Sequence, residues 1–260
     1  MKKTLLAAVI AAVLPFASSQ VYAQAAFPPP PPKFSPAVGV IDMHTHTHPD
    51  VFGRSIDDVD LAMLAKARGM RGIVLKNHIS ETASRAALAM KAVPGIEVFG
   101  GIVLNNAVGG INPAAVEWMH RFYGSRGKVV WLPTFESDMH VKTFGKPDAK
   151  GIEVAPGGKV LPAVEEVLKI IARENLLLAT GHVHPYEVVA VVKRARELGV
   201  KNIIVTHGLT TVPGLTMAQA KEVTQMGAVI EICYLQFQAG PNAPLEFLKH
   251  WTQIGAKQVA

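Results

Sequence analysis

The sequence predicts an α/β fold, a TIM-like (β/α) barrel, and three observations support that prediction. Short runs rich in Val and Ile recur along the chain, as buried parallel strands do. Amphipathic segments with helix-capping residues lie between these runs. Histidines follow several different runs, whereas an open doubly wound sheet, the alternative architecture, gathers its site at one switch point.

Residues 1–23 are predicted to be a cleavable signal peptide. Met1-Lys2-Lys3 is a positive start, residues 4–17 are apolar, and Val21-Tyr22-Ala23 fits a signal peptidase site, so we expect cleavage after Ala23. The apolar run is shorter than the ~20 residues of a transmembrane helix. We therefore expect export to the periplasm without stable membrane association; an uncleaved anchor is the alternative.

Residues 24–37 are predicted to be a linker, because the prolines at 28–32 favour a stiff polyproline II segment. Residues 38–260 then form one domain of barrel size. The net charge is +6, and no long basic run occurs, so we expect a small-molecule substrate and no nucleic acid. The sequence leaves open whether the protein forms a homo-oligomer. The single cysteine, Cys233, is interpreted as a buried small hydrophobe.

Seven strands are predicted from the apolar runs. The runs are residues 40–41, 72–75, 98–104, 129–132, 176–179, 203–205 and 228–235. An eighth strand is expected to begin at residues 257–260, where the sequence ends. Because a TIM barrel has eight strands and eight helices, we expect the barrel to be truncated before strand eight and helix eight are complete.

Capping residues mark the helices between these strands. Ser55 with Asp58 predicts a capping box for the first helix. Further helix starts are predicted at Asn112-Pro113, Pro162, Pro185 and Thr216. Residues 135–159 form one long connection after strand four. Such connections lie over the catalytic face of a barrel, so we interpret this one as a lid or specificity loop; a solvated excursion is the alternative.

The motif with the clearest chemistry is Asp42-Met-His44-Thr-His46-Thr-His48-Pro49 at the end of strand one. Alternate residues of a strand face the same side, which places His44 and His46 together, about 7 Å apart along the strand. Two imidazoles at that spacing can bind one metal ion. Asp42 lies one step deeper and is a candidate to hold the second nitrogen of a ligand histidine.

Two further histidines occupy equivalent places in the barrel. His182 ends strand five and His207 ends strand six, whereas His184 is assigned to a helix start. The four histidines at 44, 46, 182 and 207 are therefore the predicted metal ligands, holding one or two divalent ions. Clustered imidazoles favour zinc first and manganese second.

Lys76 and His78 share a face at the end of strand two and are the predicted catalytic residues. A lysine in an apolar strand is unfavourable unless it is paired, solvated or modified. We expect Lys76 or His78 to stabilise a developing oxyanion. A metal-bridging carboxylated Lys76, or a lysine whose amine simply reaches water, are the alternatives. Glu136, Glu231 and the loop residue His140 are further candidates for the site.

This pattern resembles the amidohydrolase superfamily. The Asp-x-His-x-His motif ending at His46 and the histidines ending strands five and six support the resemblance, and a closer likeness is to a poorly characterised amidohydrolase-related family of bacteria and archaea. The resemblance implies a metal-dependent hydrolase with His44 and His46 on one metal. Two departures stand out. The superfamily's bridging lysine ends strand four, where this chain has none, and its strand-eight aspartate would lie beyond Ala260.

The predicted function is a metal-dependent hydrolase that cleaves an amide, ester, lactone or phosphoester bond of a small molecule. A bound divalent ion lowers the pKa of a water and polarises the substrate, which suits those bonds. A metal-dependent decarboxylase or other lyase on the same scaffold is one alternative. A non-catalytic periplasmic protein that binds a metal or ligand is the other.

Overall fold

The computed structural model describes residues 27–234, which form one sheet of seven parallel strands with helices between them. The strands are β1 (Ile41–Thr45), β2 (Gly72–Leu75), β3 (Glu97–Val103), β4 (Gly127–Trp131), β5 (Leu177–Ala179), β6 (Asn202–Val205) and β7 (Val229–Ile230). The helices are α1 (Asp58–Ala67), α2 (Ala83–Ala92), α3 (Pro113–His120), α4 (Asp138–Phe144), α5 (Pro162–Arg173), α6 (Pro185–Glu197) and α7 (Met217–Gln225).

The sheet is curled, and the TIM-like barrel prediction is confirmed. Its strands are ordered β1 to β7 with every pair parallel, so no strand is inserted as in a doubly wound sheet. His44 near the end of β1 hydrogen-bonds Glu231 after β7, which brings the two ends of the sheet together. The predicted eighth strand at residues 257–260 and the predicted signal peptide lie outside the described residues.

Each strand separates an inner from an outer layer of side chains. On β2, Ile73 and Leu75 pack against the helices, while Val74 faces the barrel interior. The inner cluster is Val74, Val103, Val129, Trp131 and Ala179. Because both faces of the sheet are covered, the strands are apolar throughout, which is why the apolar runs were informative. The alternation also turns Lys76, two residues after Val74, towards the interior.

Most predicted helix starts are confirmed. α3, α5 and α6 begin at Pro113, Pro162 and Pro185, and Thr216 caps α7 in a capping box with Gln219.

The predicted start of α1 is wrong. Its N-cap is Asp57, whose side chain accepts the N–H of Asp60. Asp58 does not cap the helix, because its buried carboxylate is held by Arg85 (2.8 Å) and by the Thr47 hydroxyl. This pair ties the segment after β1 to α2.

The long connection after β4 is an ordered part of the barrel rather than a solvated excursion. It contains α4 and returns to the barrel at Val154 and Ala155, whose N–H groups both donate to Glu187 Oε1 (2.8 and 2.7 Å). Glu187 Oε2 accepts a third N–H, from His184 (3.1 Å). Glu187 is fully buried, so its carboxylate satisfies three backbone donors that water cannot reach.

Candidate metal centre

Five imidazoles form a closed circle at the carboxyl ends of the strands. They are His44 from β1, His46 directly after β1, His78 after β2, His182 after β5 and His207 after β6. Neighbouring ring centroids around the circle are separated by 5.1, 4.8, 6.4, 4.8 and 6.0 Å. The structure therefore brings together all four histidines predicted as ligands and adds His78 to them.

Two pairs of ring nitrogens are spaced as the ligands of one ion are. His44 Nε2 and His46 Nε2 are 3.2 Å apart, and His182 Nε2 and His207 Nε2 are 3.1 Å apart. Two ligands about 2.0–2.1 Å from a tetrahedral zinc lie roughly 3.3–3.4 Å from each other. The residues present thus fit a divalent metal, both in the chemistry of their donor atoms and in spacing.

His44 has a carboxylate partner that leaves its Nε2 lone pair facing the circle. Its Nδ1–H donates to Glu231 Oε2 (3.1 Å), and the same oxygen accepts the backbone N–H of His207 (2.9 Å). Asp42 does not hold the ring: it is exposed, and its carboxylate accepts the backbone N–H of His44 (3.0 Å). A carboxylate placed as Glu231 is, behind the ring, fixes the orientation of a histidine that binds a metal.

Hydrogen-bond partners also orient His207. The single hydrogen of the Thr210 hydroxyl has two carbonyl acceptors, those of His207 (2.8 Å) and Val212 (2.7 Å), so the hydroxyl oxygen accepts from His207 Nδ1–H (3.0 Å). The His207 lone pair is therefore on Nε2, facing His182. His207 has a positive φ of 29°, a strained conformation for a residue with a side chain, of the kind that concentrates at functional sites.

His78 has the opposite arrangement. Its Nδ1 lies 2.8 Å from the Thr134 hydroxyl, which accepts from Asn105 Nδ2 (2.9 Å). Thr134 and Asn105 are fully buried, and His78 Nδ1 is the one acceptor within reach of the Thr134 hydroxyl hydrogen among residues 27–234. His78 Nδ1 therefore accepts, and its proton lies on Nε2. His78 is thus arranged as a hydrogen-bond donor, unlike His44 and His207.

The imidazoles of His46, His78, His182 and His207 are neutral because of their surroundings. Burial is the largest cause, and the nearby Lys76 ammonium adds to it, lowering the pKa of His78 to about 2 and of His207 to about 3. The same two causes lower the pKa of His46 and His182 well below the ordinary range. Neutral imidazoles offer lone pairs to metals, whereas protonated ones do not.

Lys76 lies beneath the circle and is completely buried. Its Nζ is 3.1 Å from His44 Nε2 and 5.5 Å from the centre of the Trp131 ring. Burial lowers its pKa to about 8, an effect that the negative charge of Glu231 partly opposes. For Glu231, burial acts to raise the pKa, but the contacts with His44 and the charge of Lys76 have the larger effect and lower the pKa to about 2. Lys76 and Glu231 thus form a buried charge pair through His44.

α4 brings a sixth histidine to the circle. His140 Nδ1 is 2.9 Å from His182 Nδ1, and the His140 ring stacks on that of His182 at 5.0 Å. His184 instead caps α6 and bonds Asp138 (2.9 Å). Glu136 is occupied by the backbone and side chain of Asn106. Of these loop residues, His140 is the one that contacts a predicted ligand.

The loop after β1 completes one side of the mouth. Arg54 Nη2 lies 3.4 Å from His46 Nδ1, and its Nε is held by Asp50 at 2.8 Å. Phe52 and Phe135 meet edge to face at 5.9 Å, and both approach His78, at 6.1 and 5.1 Å. His48 accepts the Arg54 N–H (3.1 Å) and so supports this loop instead of joining the circle.

Cys233 also differs from the prediction. It is half-buried, and its Sγ lies 3.4 Å from His44 Nδ1, at the edge of the centre rather than in the core. Burial raises the pKa of the thiol, so it is protonated.

Seven residues of the site were missed in the sequence: Asp50, Phe52, Arg54, Asn105, Thr134, Phe135 and Thr210. Asn105 and Thr134 each follow the apolar end of a strand, at Leu104 and Pro133. A polar residue at that place in a barrel is a signal that could have identified both. Arg54 and Asp50 lie in an irregular loop, where position in the sequence carries no such information.

The chain matches one family model and is similar in structure to several solved barrels. Residues 39–231 match the model of DUF6282, described as a family of unknown function. No curated protein matches the sequence. An organophosphorus hydrolase from Deinococcus radiodurans is similar in structure, with a TM-score of 0.55 and 15% identity over 85% of this chain and 74% of that one.

Two more solved structures are similar. An amidohydrolase from Pseudomonas aeruginosa gives a TM-score of 0.53 and 12% identity over 87% of this chain and 75% of that one. A protein engineered for organophosphate hydrolysis from a weak promiscuous lactonase template gives 0.55 and 15% over 87% and 78%. At these identities the likeness shows a shared barrel fold, a scaffold that hydrolases use. The family match spans most of the sequence, and the chain therefore belongs to DUF6282, a family of unknown function.

Proposed function

We propose that this protein is a metal-dependent hydrolase that cleaves an amide, ester, lactone or phosphoester bond of a small molecule. The observation that supports this most is the circle of five imidazoles with two pairs of nitrogens at ligand spacing, 3.2 and 3.1 Å. The names of the similar barrels agree, since they include an organophosphorus hydrolase and an amidohydrolase. Zinc suits the donor set best, and manganese is the second choice.

In this proposal the residues divide into four roles. His44, His46, His182 and His207 would hold one or two ions, and Glu231 and Thr210 orient the rings of His44 and His207. A bound divalent ion supplies Lewis acidity and makes water a better nucleophile at neutral pH.

The other roles belong to His78 and Lys76. His78 presents Nε2–H at the mouth, where it would donate to oxygen as negative charge develops in the transition state. Lys76 is too deeply buried to meet substrate in this conformation, and it provides positive potential from below. An interaction that strengthens as charge develops raises kcat, whereas an equally strong ground-state contact does not.

The test begins with the metal and ends with turnover. We expect the purified protein to retain zinc or manganese and to hydrolyse members of an ester, lactone, amide and phosphoester panel, with chelator abolishing activity and added metal restoring it. His46→Ala and His207→Ala should lose metal measured by mass spectrometry. His120→Gln, a histidine of α3 that lies outside the circle beside Glu117 and Glu174, is the matched control and should retain activity.

Three outcomes would contradict the proposal. Absence of metal binding by calorimetry would remove its basis. Metal binding without turnover on the panel would favour the non-catalytic binding protein. Release of carbon dioxide without uptake of water into the products would favour the lyase.

We further propose that the protein acts in the periplasm as a mature chain starting at Gln24. Support comes from the charge and hydropathy pattern of residues 1–23. Within residues 27–234, none of the helices is long and apolar enough to cross a membrane. N-terminal sequencing of protein from osmotic-shock fractions should begin at Gln24, and recovery of full-length chain from the membrane fraction would contradict this.

A further inference from the structure

We propose that the substrate is a small organic oxyanion, a carboxylate or phosphonate, whose charge is bound by Arg54 and whose apolar group lies against Phe52 and Phe135. The inference rests on the proposed function and names the substrate class for the same site. Three independent observations support it: how Arg54 is held, how charge is balanced at the centre, and where the two aromatic rings lie.

Arg54 is held in place before any ligand arrives. Its Nε and Nη2 both contact Asp50 Oδ2 at 2.8 Å, and the Asp50 side chain has no exposed surface. Nη1 has no acceptor among residues 27–234, and one fifth of the side chain is exposed (20%). A guanidinium whose Nε and Nη2 are fixed by Asp50 and whose Nη1 is open is pre-organised to donate to an oxyanion through Nη1, because little side-chain entropy remains to be lost.

Charge balance points to the same ligand. Among the described side chains of the centre, the formal charges of Arg54 and Lys76 are matched by those of Asp50 and Glu231, which contact Arg54 and His44. A divalent ion would therefore add positive charge that these residues do not neutralise. An ion of this kind is the largest local charge in its site, so an anionic ligand is favoured over a neutral one.

The aromatic pair defines the rest of the ligand. Phe52 is 45% exposed although the Arg54 guanidinium lies 5.5 Å from its ring centroid. Phe135 packs against Phe52 and His78, so the two phenyl rings stand beside the proposed hydrogen-bond donor. When an apolar group of the ligand covers an exposed phenyl ring, apolar surface leaves water and binding becomes more favourable. A ring-sized or branched group attached to the anion would do so.

Calorimetry on the zinc-loaded protein tests this with phenylphosphonate, methylphosphonate and the neutral dimethyl phenylphosphonate. We expect phenylphosphonate to bind more tightly than both. Arg54→Gln should weaken phenylphosphonate about 10- to 100-fold, as loss of a charged hydrogen-bond partner does, and leave the neutral ester unchanged. Arg54→Lys should recover part of the affinity. Phe52→Leu should weaken phenylphosphonate and spare methylphosphonate.

Arg126→Gln is the matched control, because Arg126, which precedes β4, also lies 5.5 Å from a phenylalanine ring, that of Phe99 in β3. Equal effects of Arg54→Gln and Arg126→Gln, or equal affinity for the anion and the neutral ester, would overturn the inference. Neither result depends on turnover. A protein that hydrolyses the panel but does not select the anion keeps the proposed function, and one that selects the anion but hydrolyses nothing keeps only this inference.

Discussion

His78 and His207 show how a neighbouring threonine can set the role of a histidine. The Thr210 hydroxyl donates to backbone carbonyls and leaves His207 Nδ1 to donate. The Thr134 hydroxyl oxygen accepts from Asn105, and the hydroxyl hydrogen is donated to His78 Nδ1. The Thr210–His207 pair therefore turns an imidazole lone pair towards the centre, whereas the Thr134–His78 pair turns an N–H towards it. This difference suits His207 to the proposed role of metal ligand and His78 to that of hydrogen-bond donor.

The first prediction concerns Thr134. Thr134→Val removes the hydroxyl, so His78 loses the bond that places its proton on Nε2. We expect kcat to fall about 10- to 100-fold with KM changed little, because the lost interaction belongs to the transition state. Nitrogen-15 spectra of labelled histidine should show a mixture of His78 tautomers. Thr134→Ser should restore both, and a single Nε2–H tautomer in Thr134→Val would contradict the assignment.

At the scale of elements, the connection from β4 to α5 acts as a fixed cover. α4 contributes His140 to His182, and the return segment is fastened by three N–H bonds to Glu187. A lid that opens during turnover would need these bonds to break together. The buried carboxylate therefore favours a preformed wall beside the centre.

A second prediction follows for Glu187. Glu187→Gln replaces one acceptor oxygen by an NH₂ group, which leaves a buried backbone N–H without a partner at a cost of about 1–3 kcal/mol. We expect faster hydrogen exchange at residues 152–156 and in α4, and lower metal affinity through His182. Glu166→Gln, an exposed glutamate of α5, is the control. Unchanged exchange in this segment would show that Glu187 does not fasten it.

At the scale of the molecule, the barrel interior carries a charge that a purely structural core would exclude. Lys76 sits above the apolar layer that contains Val74 and Trp131. The lowering of its pKa from 10.5 to about 8 corresponds to roughly 3 kcal/mol against folding at neutral pH. Placing such a group in the core sacrifices stability, and functional sites are where proteins accept that.

The third prediction is the pH dependence of unfolding of the chelated protein. A lysine with a lowered pKa loses its proton first in the folded state, so between pH 8 and 10.5 the unfolded chain binds more protons. Stability should therefore rise with pH across this window. Lys76→Met should flatten the rise and stabilise the protein at pH 7, while the exposed Lys128→Met should change neither. A rise that persists in Lys76→Met would assign it to other groups.

The sequence predicted the strands, most helix starts and the histidines at strand ends, because each depends on local periodicity or on the shared end of parallel strands. It also singled out Glu231 as a candidate for the site. The contact of Glu231 with His44, the contact of Arg54 with His46, and the chain from Asn105 to His78 depend on how segments after different strands pack, which no local pattern encodes. The start of α1 was misplaced because Asp58 has a better partner in Arg85 than in the helix.

The bond between His44 and Glu231 joins residues at opposite ends of the described chain. The centre therefore cannot assemble until the chain has been synthesised as far as Glu231. If the proposed signal peptide directs export of an unfolded chain, the proposed ion would be acquired after translocation. Imidazole sites follow the general affinity order of divalent metals and discriminate weakly among them, so the metal supply of the compartment where folding finishes would decide which ion is taken up.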